Sequence, residues 1–308
     1  MTVNRTQFTA LLEPILNNIR NDQDYPRVEK IYTQLYDMVE SSKKAKETDF
    51  QRAGLGDFQV KNEGGPISFD DPIAGNTLEY AHVRSALGYK VTQEMFDHDQ
   101  FAEIRKLEKD LQIAGDDHLE VRGNLLLNSG FGTTNSQGFR ATGFDGLSLF
   151  STAHTRLDGG ASQGNRPATD INLGWTALAD AILQFQLWVD NRGRIIRPSP
   201  SKLIVHPNDS LTAMELLQSS LKPGTANNEI NAIRGDLSVL VNPYLTDSNS
   251  WFVKASGGTD TRWFWDVAPR TATLDEDQIN EISGRKRVQG FSHGHGDWVG
   301  YYGTSGTT

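Results

Sequence analysis

The stretch DHDQFAEIRKLEKDLQIAGDDHLEVRGNLLLN, residues 97–128, decides the fold. Its apolar residues recur every three or four positions, a spacing that lines them up along one side of an α-helix. The stripe consists of Phe101, Ile104, Leu107, Leu111 and Ala114. A helix of about 30 residues would be roughly 45 Å long, well above the mean of about 11–12 residues. We therefore predict one long helix that serves as a structural axis.

The chain before this helix divides into two segments. Residues 58–96 contain two extended runs separated by turn signals at Gly64-Gly65-Pro66 and Gly75-Asn76, which predict a long β-hairpin. Residues 1–57 are polar and interrupted; apolar spacing predicts a helix over 25–40, and the charged run 41–48 is typical of a solvated linker. Because an isolated two-stranded ribbon is marginal in water, the hairpin must lie on its own body or on a neighbouring subunit.

The chain after the helix is first irregular and then mixed. Residues 129–170 are rich in Gly, Ser, Thr and Asn, and so long a stretch without regular structure indicates a surface completed by partners. Residues 171–270 alternate helical and extended patterns, which predicts a mixed α/β domain. Two closing strands are expected over 284–292 and 297–304. In the sheet, Trp263 and Trp265 should share one face and leave Phe264 on the other.

Composition excludes several classes of protein. With 30 basic and 39 acidic residues the net charge is −9, which disfavours a dedicated nucleic-acid binder. The chain has no cysteine, which removes disulfides, thiolate catalysis and cysteine-ligated zinc together. Because no apolar run approaches the ~18 residues of a membrane span, we expect neither a transmembrane helix nor a signal peptide.

Two groups of residues could be mistaken for catalytic or metal sites. Ser151, His154 and Asp158 are close in sequence, but triads are built from separate elements, and the chain has no G-x-S-x-G elbow. His293, His295 and Asp297 would share one face of a strand and could chelate a metal. A glycine-rich bend with solvated histidines is the favoured interpretation of that second group. We expect no catalytic residues, cofactor or metal.

Neither the glycine-rich motif nor the basic cluster of the sequence indicates a phosphate-binding or nucleic-acid-binding site. Gly130-Phe131-Gly132 follows a helix instead of opening one, so it lacks the helix N-terminus that a phosphate cradle needs. The only basic cluster, Gly284-Arg285-Lys286-Arg287, alternates into Val288 and Phe291 as a strand would. A single short cluster in so acidic a chain favours an intersubunit ion-pair site over nucleic-acid binding.

The order of these parts resembles the major capsid protein of tailed bacteriophages, which has the Hong Kong 97-type fold. The amino-acid sequences of four stretches carry the resemblance, and they look closest to those of the major head subunits of Mu-like phages. They are Leu149–Thr155, Leu203–Pro207, Pro223–Asn231, and Val241–Asp247 with Trp251-Phe252. The resemblance implies an α+β capsid fold with an N-terminal arm, an extended β-hairpin loop, a spine helix with a β-sheet in a peripheral domain, and a mixed α/β axial domain.

The resemblance also assigns domains and a function. Residues 1–57 would be the N-terminal arm, 58–96 the extended hairpin loop, 97–170 the peripheral domain with the spine helix, 171–270 the axial domain, and 271–308 the return strands of the peripheral domain. The chain would be a structural head protein, not an enzyme, assembling into hexamers and pentamers of an icosahedral shell around phage double-stranded DNA. Two alternatives stay open: an encapsulin-like shell around cargo protein, and a soluble Ser/His hydrolase.

Partners and contact residues follow from the same likeness. The partners would be further copies of the chain, the portal, a decoration protein and packaged DNA without sequence-specific binding. Some members begin with a long segment that acts as a scaffold and is later removed; fewer residues precede the hairpin here, so we expect a separate scaffold protein. Assembly would take place in the host bacterial cytoplasm, without a membrane. Intersubunit contacts are expected at Lys61, Tyr80, Tyr89, Lys90, Pro223, Asn227, Asn228, Arg285, Lys286 and Arg287.

Overall fold

The computed structural model describes residues 30–92, 94–95, 101–224, 229–277 and 282–307. Its helices are α1 (Tyr32–Leu35), α2 (Phe101–Gly123), α3 (Leu125–Asn128), α4 (Trp175–Leu187) and α5 (Ser210–Gln218). Its strands are β1 (Met38–Ser41), β2 (Lys46–Ala53), β3 (Ile73–Ala81), β4 (Val83–Thr92), β5 (Phe139–Arg140), β6 (Pro200–Val205), β7 (Ser238–Val241), β8 (Trp251–Ala255), β9 (Thr261–Asp277), β10 (Ile282–His295) and β11 (Tyr301–Thr304). No described helix is both long and apolar enough to cross a membrane.

The long helix is confirmed as α2, but its buried face differs from the predicted stripe. Ile104, Glu108, Leu111 and Leu119 are buried, whereas Leu107 is only half-buried. The mid-helix glycine, Gly115, lies on the same face, where a Cβ atom would overlap the guanidinium of Arg287. A glycine costs helix stability, so this position is explained by the close approach of β10.

Truncation of Leu111 tests this face. We expect Leu111→Ala to lower the free energy of unfolding by roughly 2–5 kcal/mol, because the side chain is 4% exposed and its removal leaves a cavity. The matched change Leu107→Ala should cost clearly less, since Leu107 keeps part of its surface in water. Thermal unfolding of the unassembled chain measures both, and equal losses would contradict this assignment of the buried face.

Three sheets organise the strands. The large sheet has the order β1-β9-β10-β4, with β5 paired to β10; the small sheet has the order β11-β8-β6-β7; β2 and β3 form a separate ribbon. The strand expected over 297–304 is therefore shorter and belongs to the small sheet, because Tyr301–Thr304 pairs with β8. Likewise, β9 crosses the expected boundary at residue 270 and pairs with β10 along its length.

The hairpin expected over 58–96 is wrong in its pairing. The strand opposite β3 is β2, within the stretch interpreted as arm and linker, and Lys46 pairs with Glu79 across the ribbon at 2.7 Å. β4, the remainder of the expected second arm, joins the large sheet beside β10. Only His82 separates β3 from β4. The helix expected over 25–40 is also corrected, since in the described residues only Tyr32–Leu35 is helical and Met38–Ser41 pairs with β9.

One apolar core joins the large and small sheets. Trp263 is fully buried and lies 5.4 Å from Trp265, while Phe264 packs on the opposite side with Leu78 and Tyr80, as the alternation predicted. The irregular stretch 129–170 contributes Leu149 and Phe150 to the main core. This part of the stretch is therefore covered by its own chain, because turns and isolated bridges bring it onto the sheets.

Candidate assembly surfaces

A small apolar cluster helps to anchor the ribbon formed by β2 and β3 to the body of the subunit. Leu78 and Tyr80 are buried, and the Tyr80 ring lies 5.3 Å from that of Phe264. Burial raises the pKa of the Tyr80 hydroxyl well above its usual value. The expected intersubunit contact at Tyr80 is corrected, because its side chain is 1% exposed and packs within its own chain.

The loop between β2 and β3, residues 54–72, carries the three most exposed large apolar side chains among the described residues and is called the apolar loop here. Phe58 and Phe69 are 105% and 93% exposed. The other large apolar residues of the loop, also exposed, are Leu55, Val60 and Ile67. Clustered exposed apolar side chains of this kind mark interaction sites. Lys61, one of the expected contact residues, is exposed on the same loop.

Arg192 holds the two ends of the apolar loop together. Its Nε donates a hydrogen bond to the carbonyl oxygen of Gly54 at 2.9 Å, and its Nη2 donates to that of Asp71 at 2.6 Å. The amide of Gly56 donates to Asp70 Oδ2 at 2.6 Å. The base of the loop is thus fixed while its apolar side chains remain in water. No motif in the sequence pointed to Arg192, which lies in a turn far from the loop in sequence.

A buried polar joint ties the large sheet to α2. Glu108 is fully buried and accepts hydrogen bonds from Tyr89 at 2.8 Å and Gln112 at 3.0 Å. Arg285 lies 3.3 Å from the same carboxylate, and Arg287 pairs with Asp116 at 2.7 Å. Burial and the Glu108 carboxylate raise the pKa of the Tyr89 hydroxyl. This corrects the expected intersubunit role of Arg285 and Arg287, and gives the Tyr89 hydroxyl an internal partner.

The other residues expected to contact neighbouring subunits are exposed, half-buried or outside the described residues. Lys90 and Lys286 are exposed, on strands β4 and β10, which are paired to each other. Pro223 is half-buried at the end of a described segment, and Asn227 and Asn228 lie outside the described residues. Glu108 was missed by the sequence analysis, although its spacing from Ile104 and Leu111 already placed it on the buried face.

The two groups that resemble catalytic or metal sites have structural roles. His154 is buried, with Nδ1 2.5 Å from Asp145 Oδ2 and Nε2 3.2 Å from Asn165 Oδ1, and it stacks on Trp298. Burial acts to raise the pKa of Asp145, but the hydrogen bond and electrostatic attraction of His154, together with the hydrogen bond from the Leu147 amide, outweigh burial and lower that pKa. Ser151 forms no hydrogen bond with His154 in the described residues. Asp158 pairs with Arg156 instead.

The histidines of the Gly-rich motif are buried and not solvated, contrary to expectation. His293 and His295 lie in β10, and the His293 Nδ1 is 2.7 Å from the Tyr36 hydroxyl. Burial lowers the pKa of each to about 3, so both are neutral near pH 7. Within the described ranges, no three His, Cys, Asp or Glu residues are grouped so as to hold a metal ion.

Solved structures with a similar architecture include capsids of phages and of a GTA particle. The capsid of the cyanophage P-SCSP1u superposes with a TM-score of 0.58 at 8% identity, covering 91% of this chain and 89% of that chain. The capsid of an empty GTA particle gives 0.57 at 9% identity over 91% and 92%, and the capsid of the Myoviridae phage XM1 gives 0.54 at 11% over 93% and 95%. At such identities the likeness establishes the fold, which is the Hong Kong 97-like capsid fold.

Sequence comparison establishes the family. Residues 75–304 match the family described as Phage capsid protein, and the chain belongs to that family. It is therefore a structural protein of the phage virion and not an enzyme. This removes the hydrolase alternative and does not support the encapsulin-like one. No curated protein matches the chain significantly, and a special closeness to Mu-like head subunits stays a prediction.

Proposed function

We propose that this chain is the major head subunit that closes hexamers and pentamers into an icosahedral shell around double-stranded DNA. The observation that carries the proposal is the apolar loop, whose phenylalanines are not covered by any residue that the structure describes. Exposed apolar side chains favour burial on another molecule by about 25 cal/mol per Å². Repeated around a ring, modest contacts of this kind add up to a stable shell.

A second exposed apolar surface, on and after α5, supports packing between copies of the chain near the small sheet. Leu211 and Met214 on α5 are 77% and 41% exposed, and Ile230 beyond it is 82% exposed. We infer that the part of the molecule expected to be axial, around residues 171–270, packs against its copies with these residues. The subunit's acidic charge suits a container, because a weakly repulsive wall leaves the duplex mobile.

The proposal also includes the other proteins of the particle. A separate scaffold protein, a portal and a decoration protein would complete the particle, which would assemble in the host cytoplasm before DNA is packaged. None of these contacts requires a sequence-specific nucleic-acid site.

Electron microscopy of the purified chain tests the function. We expect capsomers alone, and closed shells with fivefold and sixfold clusters when a scaffold protein is co-expressed. A single species of 34.2 kDa at micromolar concentration, with and without the scaffold, would overturn the proposal.

A further inference from the structure

A cavity of about 210 Å³ lies between α2 and the strands β4 and β10 of the large sheet. Leu111 and Ala114 of α2 line one side of it, and Ala86 and Leu87 of β4 line another. The Leu87 side chain is 57% exposed, so the cavity opens to solvent beside it. A small molecule can therefore reach these apolar walls while both elements stay folded.

Two buried polar side chains of β10 also line this cavity. Arg287 is 6% exposed and Gln289 is 4% exposed. Arg287 Nη1 donates a hydrogen bond to the carbonyl oxygen of Gln112 at 2.7 Å, and its Nη2 donates to Asp116 Oδ1 at 2.7 Å. Gln289 Nε2 donates to the carbonyl oxygen of Gly115 at 3.3 Å. Arg287 Nε and Gln289 Oε1 remain, and neither has a hydrogen-bond partner among the described residues.

These two atoms call for a ligand that accepts one hydrogen bond and donates another. Arg287 Nε carries a hydrogen, whereas Gln289 Oε1 is an acceptor. The bond from Gln289 Nε2 to Gly115 fixes which end of the glutamine amide is the free one. Buried polar groups are nearly always paired, and leaving one unpaired is unfavourable. A carboxamide carries both functions on neighbouring atoms, whereas a carboxylate carries acceptors only.

The charges around the cavity favour a neutral ligand. The guanidinium of Arg287 is already paired with Asp116. His118 also lines the cavity, and its Nε2 lies 3.2 Å from Ser85 Oγ. Burial, followed by the charges of Arg122 and Arg287, lowers the pKa of His118, so its ring is mostly neutral near pH 7. A charged ligand would have no counterion of its own among these groups.

We propose that this cavity binds a small neutral molecule with an apolar body and a carboxamide head. The head accepts a hydrogen bond from Arg287 Nε and donates one to Gln289 Oε1, and the body lies against Leu111 and Leu87. An engineered apolar cavity of ~150 Å³ holds benzene, so the volume here suits a six-membered ring with such a head. All the lining residues belong to one chain, so the site goes beyond the proposed function and does not depend on assembly.

A comparison of three probes on the wild-type chain tests the chemistry of the site. Isothermal titration near neutral pH compares benzamide with benzoate and toluene, which share its ring. We expect benzamide to bind about tenfold more tightly than either, because benzoate brings an oxygen against Gln289 Oε1 and toluene leaves both polar atoms unpaired. Equal affinity for the three probes, tighter binding of benzoate, or no binding of benzamide would overturn the proposal.

Substitution of the acceptor tests where benzamide binds. We expect Gln289→Met to weaken benzamide to about the affinity of toluene and to leave toluene itself unchanged. Gln218→Met, at an exposed glutamine of α5, is the matched control and should bind benzamide like the wild type. The thermal midpoint shows that each variant is folded. An unchanged affinity of Gln289→Met for benzamide would overturn the assignment of this cavity.

Protection of a thiol locates the ligand even if Gln289→Met does not fold. The chain has no cysteine, so Leu87→Cys places a single thiol at the opening of the cavity. We expect benzamide to slow alkylation of that thiol and to leave alkylation of Ile230→Cys unchanged, because Ile230 is 82% exposed and does not line the cavity. Equal rates with and without benzamide at the Leu87→Cys thiol would also overturn the proposal.

Discussion

Replacing residues 57–69 by a short Gly-Ser linker will abolish shells and leave the subunit folded. The deleted side chains include Phe58 and Phe69, which contribute almost nothing to the core because they are 105% and 93% exposed. Gly56 and Asp70 are already joined by a 2.6 Å hydrogen bond, so a short linker spans the gap without strain. Arg192 and its two carbonyl partners remain in place.

The expected stability change is small and the assembly change is complete. Surface changes of this kind usually alter the free energy of unfolding by less than about 0.5 kcal/mol. Each phenylalanine buried on a neighbour contributes roughly 1.5–3 kcal/mol, repeated at every contact of the shell. Size-exclusion chromatography and electron microscopy measure assembly, and thermal unfolding measures the fold.

Two outcomes would contradict this result. Shells at the wild-type yield would show that the apolar loop is not an assembly surface, and a lower thermal midpoint would place the loop in the subunit's own core. Ile113→Ser is the matched control, because Ile113 is 49% exposed on α2 and lies outside the loop.

Acid will destabilise the unassembled subunit through two buried histidines. His293 and His295 have a pKa of about 3 in the folded chain against 6.5 when unfolded, so the unfolded chain binds protons first as the pH falls. Well above pH 6.5 both imidazoles are neutral in the folded and the unfolded chain, so their burial does not make the free energy of unfolding depend on pH. That free energy falls progressively between pH 6.5 and about 3. Each histidine contributes a slope of about 1.4 kcal/mol per pH unit, which amounts to roughly 4–5 kcal/mol for the pair by pH 4.5.

Chemical denaturation at several pH values measures this slope. We expect His295→Phe to remove about half of it, because one titrating group is lost. The slope reports proton uptake and can be read even where the substitution shifts overall stability. A wild-type stability that stays constant from pH 6.5 to 4.5 would contradict the burial of these histidines.

The sequence predicted elements whose signal is local. The spine helix and the strands around Leu203–Val205 and Trp251–Lys254 follow from apolar spacing and turn residues, and the alternation around Trp263 correctly separated the two faces of β9. These signals need only neighbouring residues, because each element buries one regular face.

The ribbon and the polar joint could not be predicted in the same way. β2 is polar on both faces and is defined by distant partners, including an ion pair between Asp49 and Arg262 at 2.6 Å. The basic residues of β10 were expected to form ion pairs between subunits, yet Arg285 and Arg287 are buried within the chain because α2 supplies Glu108 and Asp116. Pairing across such separations is decided by tertiary packing.

The parallel pairing of β1 with β9 also sets the order of events during synthesis. Arg262, the partner of Met38, follows it by 224 residues. At about 5–20 residues per second, a ribosome takes roughly 10–45 s to make the stretch between them. Throughout that time the nascent chain carries an exposed apolar loop on an unfinished domain, a state prone to aggregation. We therefore expect slower translation of this stretch to lower the yield of assembly-competent subunits, because the aggregation-prone state lasts longer.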